Sequence, residues 1–515
     1  MILNLILDYV ADKLFVYQFV STLTTYLALR LFWLFRVRRR RHQLLALYGI
    51  PGPKPRLLDG SLHMYRESKT AHLMEVELQK KYGKVFGIYI GDEANVIITD
   101  LELLRKIFFE YTTSFKERAT VFMESPLSKS ILFATHNRWK PMRKIMSPPF
   151  STFTMRGQAS TNFIEDVVKL MLDYIEDKMR TQEKTRAEAT SPSTSPTRIT
   201  LDIHSLMQAT ALRLITGLAI DLPDVQVREN EPYVESLDSF LSQADGGVVI
   251  LAIRFPFLKP IVEFLATHIE HGKTMSSIRR QLNKKIDEGM RELNGCKNGK
   301  SQPKTPQLID TFIKLHHEGK LSRDEVIGNA EALLFAGYDT TSTTLVYIFW
   351  VLGKYPEIQE RLRGELMAHG VESKYLMQVI NEVMRLYPTV IRFTTRLATE
   401  NVTIDDLTLP KGVKVAYNAW LMFRDPELWP EPEKFDPERF REGVQIHPCA
   451  FAPFGLSERK CLGYSLAQLE LKTVVCDLVC RYRIFTKAPD VLSLVSYATV
   501  LTKPSEKIIV ELERI

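Results

Sequence analysis

Cysteine is scarce in this chain: five in 515 residues. They are Cys296, Cys449, Cys461, Cys476 and Cys480. An odd number without metal-finger spacing argues against a disulfide framework and places the body in a reducing compartment. A dominant charge is missing too. Lys and Arg number 68 against 61 Asp and Glu, a net +7. Such a mildly basic balance suits an acidic partner or an anionic membrane and makes no case for nucleic acid. Internal repeats are absent, and ordinary composition, 45% hydrophobic and 25% charged, leaves no dominant disordered part. Two short low-complexity stretches, Ala189–Thr197 and Asn294–Pro306, read as surface loops and not as domain boundaries.

One long apolar run stands out. Leu14 to Phe35 holds 22 residues and a single charge, Arg30. As a helix it reaches about 33 Å, enough to cross a bilayer core. Five arginines follow between Arg36 and Arg41. Charge placed after the span holds that side in the cytosol, whereas a cleaved signal carries its charge in front. The run is therefore expected to be an uncleaved anchor, residues 1–35, in preference to a buried hairpin. The arginines are better read as topology and headgroup contacts than as a nuclear signal. Residues 36–55, closing on the proline-rich "GIPGPKP", are expected to be a stiff hinge, and residues 56–515 the catalytic body.

Within the body, helical periodicity dominates. Lys84–Asp100 and Val402–Tyr417 alternate and break at Gly and Asp, which predicts hairpins. Ser322 with Glu325 three residues on predicts a capping box that starts a helix of about 30 residues ending before Pro356. It is apolar nearly all round, as a helix through the middle of a large domain should be. "AGYDTT" interrupts it at Ala336–Thr341. Thr340 can turn its hydroxyl onto the Ala336 carbonyl and bend the helix, opening a groove edged by Asp339 and Thr340. Alternatively, Gly337 serves only close packing.

Three arginine motifs accompany this helix. Glu382 and Arg385 in "NEVMRLYP" share a helix face; by default they are a solvated pair. Arg439 in "FDPERF" could join them in a buried structural cluster. Trp139 and Arg143 in "NRWKPMRK" also share a face, suited to an anionic carboxylate, or else a Trp packed inward beside an exposed charge. Finally, "PFGLSERKCLG" sets Cys461 between Phe454, Arg459 and Gly463.

Taken in order, these motifs resemble a microsomal cytochrome P-450 over essentially the whole chain. "KKYGKVFGIYIG" and "LFAGYDTTSTTL" look most like the animal drug- and steroid-oxidising branch that includes thromboxane synthase. The resemblance implies a mainly α fold: one large helical domain with small β-sheets, plus the N-terminal transmembrane helix. It implies haem b (iron protoporphyrin IX) with Cys461 as axial thiolate and Phe454 packed beside the sulfur. Arg459, Trp139, Arg143, Arg396 and, in "FKERA", Arg118 would hold the propionates. Asp339 and Thr340 would be the proton-delivery pair, and Glu382, Arg385 and Arg439 the structural cluster. Gly463 would let the next helix start close to the porphyrin.

The implied activity is insertion of one oxygen atom of O2 into a lipophilic substrate. Electrons would come from NADPH through a membrane-bound NADPH–cytochrome P-450 reductase, with a membrane cytochrome b-type protein as a second donor. The location would be the endoplasmic reticulum membrane. Arg138, Lys140, Lys144 and Lys460 would steer donor docking. Phe115–Phe133, Leu333–Ala336 and Thr389–Phe393 would line the pocket. An isomerase of the thromboxane synthase kind and a haem-binding protein without turnover are the alternatives; the intact acid–threonine pair favours the monooxygenase. Two departures stand out: Ser457 occupies a usual glycine position, and Gly364–Gln378 is shorter than the usual connection.

Overall fold

The computed structural model describes residues 2–68, 70–118, 126–151, 157–188, 197–220, 225–242, 247–255, 258, 261, 270–295, 308–487, 491–497 and 500–515. Cys296 and nearly all of the two expected surface loops, 189–197 and 294–306, lie outside these residues, as does part of the expected pocket segment Phe115–Phe133.

The helices that matter for the site are α1 (Ile2–Arg41), α2 (Leu62–Ser68), α3 (Ala71–Tyr82), α4 (His136–Met146), α5 (Gln158–Ala187), α6 (Ile203–Ile215), α7 (Gly247–Arg254), α8 (Arg323–Lys354), α9 (Pro356–His369), α10 (Lys374–Leu386), α11 (Ala419–Met422) and α12 (Tyr464–Arg481). The strands are β1 (Val85–Ile90), β2 (Glu93–Ile98), β3 (Arg198–Asp202), β4 (Thr395–Leu397), β5 (Val402–Ile404), β6 (Leu407–Leu409), β7 (Lys414–Tyr417), β8 (Tyr482–Thr486), β9 (Leu494–Tyr497), β10 (Leu501–Pro504) and β11 (Ile509–Arg514). The fold is mainly α with small sheets, as expected.

Helix α8 is the axis of the body. Ser322 and Glu325 close the expected capping box: the Ser hydroxyl accepts from the Glu325 amide, and the Glu carboxylate accepts from the Ser322 amide at 2.7 Å. Nearly every residue from Asp339 to Leu352 is buried, because α6, α9, α10 and α12 all pack on this helix. Gly337 decides the approach of α6. A Cβ there would fall 2.6 Å from Ile215 Cδ1, so the missing side chain serves helix packing.

The first hairpin forms as expected, with Val85 opposite Ile98 and Ile90 opposite Glu93. The second is shorter than expected. Only β5 and β6 pair with each other. After Pro410 and Gly412, the latter at φ +86°, the chain leaves this hairpin. Strand β7 then joins β2 in parallel and β4 antiparallel, giving the order β1-β2-β7-β4. Pro410 has no amide hydrogen to extend the ladder.

The short connection after α9 closes as a 3-10 turn, Gly370–Glu372, with Gly370 at φ +56°. Ser373 then caps α10 through the Leu376 amide at 3.3 Å.

The N-terminal run is helical throughout, and α1 continues through the arginines to Arg41. From Val16 to Trp33 it is almost entirely exposed, including Phe19, Val20, Leu29, Phe32 and Trp33. Burial begins at Leu34. Arg38 is fully buried and donates to the carbonyls of Leu58 at 2.5 Å and Ile253 at 3.1 Å, while Arg41 pairs with Asp92. Among the described residues, one stretch is long and apolar enough by length and composition to span a membrane, Ile203–Ile220, and it is mostly buried inside the body.

Candidate active site

The cysteine loop is built by two backbone departures. Gly455 adopts φ +83° and Ser457 φ +59°. These let the chain fold into a 3-10 turn at Ser457–Arg459, with the Cys461 amide donating to the Phe454 carbonyl at 2.8 Å. A glycine adopts such a φ without penalty, whereas serine carries strain. Gly463 has an ordinary φ of −82° and caps α12. Its conformational freedom is not used, and a Cβ there would make only an ordinary contact, 4.0 Å from Cys461 Sγ. Phe454 meets Tyr464 edge-on at 4.8 Å.

Cys461 keeps exposed surface although protein encloses its sulfur, so it faces an interior space. Burial pushes the thiol up; the Gly463 amide and the cations Arg143, Arg118 and Lys460 act in the opposite direction. A thiolate here needs those donors and a metal. Among the described residues no group of three His, Cys, Asp or Glu could hold a metal ion by itself, and a single thiolate beneath a macrocycle asks for no such group.

Around the cysteine, four expected arginines converge. Burial, reinforced by Arg459 and Arg396, lowers Arg118 to about 9. Burial and then Arg459 lower Arg396 to about 10. Arg459 itself is lowered to about 10 by burial, against the pull of Glu117 and Glu458. Arg143 is lowered by burial. Arg459 Nε and Nη1 and Arg118 Nε are buried without a hydrogen-bond partner. Crowded, desolvated guanidiniums with orphaned donors call for an anion among them. Two carboxylates on an otherwise apolar macrocycle fit that demand. Trp139 is buried, and the Arg459 guanidinium lies over its ring at 4.3 Å. The ring acts as a platform for Arg459.

One face of α8 looks into the interior space. Ala336 is exposed although the helix around it is buried, and Leu333, Phe335 and Thr340 are half-buried. Thr340 Oγ1 donates to the Ala336 carbonyl at 2.7 Å, the back-bond expected from the sequence. Asp339 is 5% exposed. Leu127, Phe133 and Ala332, with Leu132, Phe335 and Phe393 against them, form a small apolar cluster of their own.

Glu382 and Arg385 are fully buried, not the solvated pair that is the default. Arg385 donates to both carboxylate oxygens, at 2.7 and 2.9 Å, and to the carbonyls of Phe423 and Pro432. Arg439 Nε lies 3.4 Å from the same carboxylate. Burial pushes the Glu382 carboxyl up, and Arg385 opposes it. Arg138, expected to steer a partner, is instead tied to Glu325 and to the Lys320 carbonyl at 2.9 Å.

Among the buried acids that the sequence reading did not single out, two sit close to the site's elements. Glu470 sits on α12 against Thr341 of α8. Glu75 on α3 pairs with Arg392. The only signal was a charge inside an apolar run, which helix surfaces also show.

The body sets one cysteine in a loop with a positive-φ serine among buried arginines, and carries an acid–threonine turn in its central helix, an arrangement that suits a haem-thiolate enzyme. A family model described as Cytochrome P450 matches residues 50–511, and the chain belongs to the cytochrome P450 family. Curated relatives include cytochrome P450 3A56 of Fundulus heteroclitus, 27% identical over 84% of this chain and 86% of its own. Cytochrome P450 3A28 of Bos taurus is 27% identical over 90% of each chain. Cytochrome P450 3A5 of Homo sapiens is 27% identical over 87% of each. The protein is therefore a cytochrome P450 monooxygenase with a haem-thiolate cofactor.

Proposed function

We propose that this protein is a membrane-anchored monooxygenase that inserts one atom of O2 into a lipophilic substrate, with electrons passed from NADPH by NADPH–cytochrome P450 reductase and, as a second donor, a membrane cytochrome b-type protein. The observation that carries this reading is the cysteine loop set under a cluster of desolvated arginines with orphaned donors. Cys461 holds haem b by its sulfur. Arg118, Arg143, Arg396 and Arg459 neutralise the two propionates, and Trp139 braces Arg459. Phe454 shields the sulfur from water. Bound haem supplies the redox chemistry, and its thiolate ligand favours O–O cleavage.

The chain's own residues bind, exclude water and move protons. Thr340 parks its hydrogen on the Ala336 carbonyl and keeps its lone pairs for water. Asp339, the preceding residue, is the proton source that recharges it. Leu132, Phe133, Phe335 and Phe393 offer an apolar surface that favours a lipophilic substrate. Glu382, Arg385 and Arg439 are structural. The exposed apolar face of α1, ended by arginines, fits a single span with the body on the cytosolic side of the endoplasmic reticulum membrane. Exposed Lys140, Lys144 and Lys460 face the acidic donor.

The test is the ferrous–CO difference spectrum of the full-length holoprotein and of Cys461→Ala. The wild type shows the red-shifted Soret band of thiolate ligation and the variant loses it. An unchanged band in the variant overturns the reading.

A further inference from the structure

Outside the cysteine loop and the arginine cluster, four stretches of chain meet in a second buried polar network. Arg392, between α10 and β4, places Nη1 2.5 Å from Glu75 Oε1 and 2.8 Å from the Tyr65 hydroxyl. The Tyr65 hydroxyl, on α2, donates to the same Glu75 oxygen at 2.5 Å. Asn418, the cap of α11, donates to the other. All four side chains are at most 5% exposed. Burial pushes the Glu75 carboxyl up, against Arg392, Tyr65 and Asn418. Burial is the largest influence and disfavours the Arg392 charge, but Glu75 and Tyr65 together outweigh it, so its pKa ends above the ordinary value.

The neighbour of Arg392 is what gives the network a consequence. Phe393 is half-buried. Its ring meets Phe133 edge-on at 6.5 Å and lies under the Arg118 guanidinium at 4.6 Å. It thus joins the apolar cluster beside α8 to one of the arginines around the cysteine. The same segment is tied at its other end: the Thr389 hydroxyl lies 3.0 Å from that of Thr344, which donates to the Thr340 carbonyl at 2.8 Å. Residues 389–393 are therefore a short strap. One end is fixed to α8 one turn beyond Thr340, the other to α3 through Glu75.

We infer that Glu75 is a positioning residue for substrate recognition, whose buried pair with Arg392 sets where Phe393 stands in the pocket. The inference rests on the proposed function, in which Phe393 belongs to the pocket wall. Glu75 itself contacts neither substrate nor haem in this scheme; it acts through Arg392. Removing the Glu75 charge, or drawing it back by one methylene as aspartate does, takes the close carboxylate away from a buried guanidinium, and a buried cation in that condition shifts toward its other acceptors. Phe393, one residue along, moves with it.

The experiment compares the full-length holoprotein with Glu75→Gln, and with Glu75→Asp in case the first does not fold. Binding is read by optical titration with imidazole, which reaches the iron without filling the pocket, and with 4-phenylimidazole, whose ring must pass the wall. Either variant should keep the ferrous–CO band and bind imidazole within roughly twofold of wild type, while 4-phenylimidazole weakens by about tenfold, the effect of one displaced contact. Amide hydrogen exchange at 391–395 should speed up by about tenfold, while that of α10 is unchanged. Replacing both charges, Glu75→Leu with Arg392→Met, should slow that exchange again, because an apolar pair leaves no unpaired charge. Equal weakening of both ligands, or unchanged selectivity with unchanged exchange, overturns the inference. A wild type that shows no thiolate band and no response to imidazole overturns the proposed function itself and this inference with it.

Discussion

The hydroxyl of Thr341 lies 3.4 Å from Glu470 Oε2, across the contact between α8 and α12, with both side chains buried. Burial pushes the Glu470 carboxyl up to about 8, and the Thr341 hydrogen bond only partly opposes it. The acid is therefore protonated at neutral pH in the folded protein. Its unfolded counterpart titrates near 4.3. With the folded value raised, its contribution to stability is fully present below about pH 4 and is lost as pH rises through about 8. Glu470→Gln removes that slope. Between pH 5 and pH 8 the wild type should lose on the order of 4 kcal/mol more stability than the variant. Denaturant midpoints at three pH values measure it; parallel profiles would mean that Glu470 is ionised in the fold.

Thr340→Ala should leave the haem spectrum intact, since the Thr340 hydroxyl donates to the Ala336 carbonyl of its own helix. Protons would then reach the active site out of order, and reducing equivalents would leak to peroxide. Peroxide released per NADPH consumed should rise several-fold, because losing general-acid proton delivery slows the productive step and leaves peroxide release to compete. Unchanged coupling would point to another proton route.

Ser457 carries φ +59° in the cysteine loop. A non-glycine residue held there costs about 1 kcal/mol. Ser457→Gly should therefore stabilise the holoprotein by roughly that amount, with an unaltered thiolate band. A lower denaturant midpoint would show that the serine hydroxyl contributes more than the strain costs.

Where α1 is cut decides what is lost. Deleting Met1–Trp33 removes no buried residue of the stretch Val16–Trp33, and the protein should leave the membrane with its thermal midpoint unchanged. Deleting Met1–Arg41 also removes Leu34, Arg38 and the Arg41–Asp92 pair. That should cost about 1–3 kcal/mol, a shift of a few degrees. Equal midpoints for both truncations would show that the Arg38 contacts contribute nothing net.

Local patterns were legible where the physics is local. The Ser322–Glu325 box and the Thr340 back-bond need only residues three or four apart, and both formed as read. The β1–β2 hairpin followed from alternation and a Gly-Asp turn. The departure of β7 from the second hairpin was not legible, because its partner β2 lies over 300 residues away. Arg138 shows the same limit. It reads as a surface cation beside Lys140, yet Glu325, from a distant helix, takes it.

The sequence by itself determined the helical class, the apolar run with its arginine stop, and the order of motifs ending at Cys461. These are set by composition, period and spacing. Only the tertiary structure decided which charges are buried together. Glu382 with Arg385 could have been a solvated pair, and nothing in the sequence marked Glu75, Arg392 or Glu470 as buried. Desolvation depends on what packs over a side chain, and the packing comes from elements remote in the chain. The same holds for the arginines around Cys461. Each is ordinary in sequence, and only their convergence creates a cationic site that demands an anion.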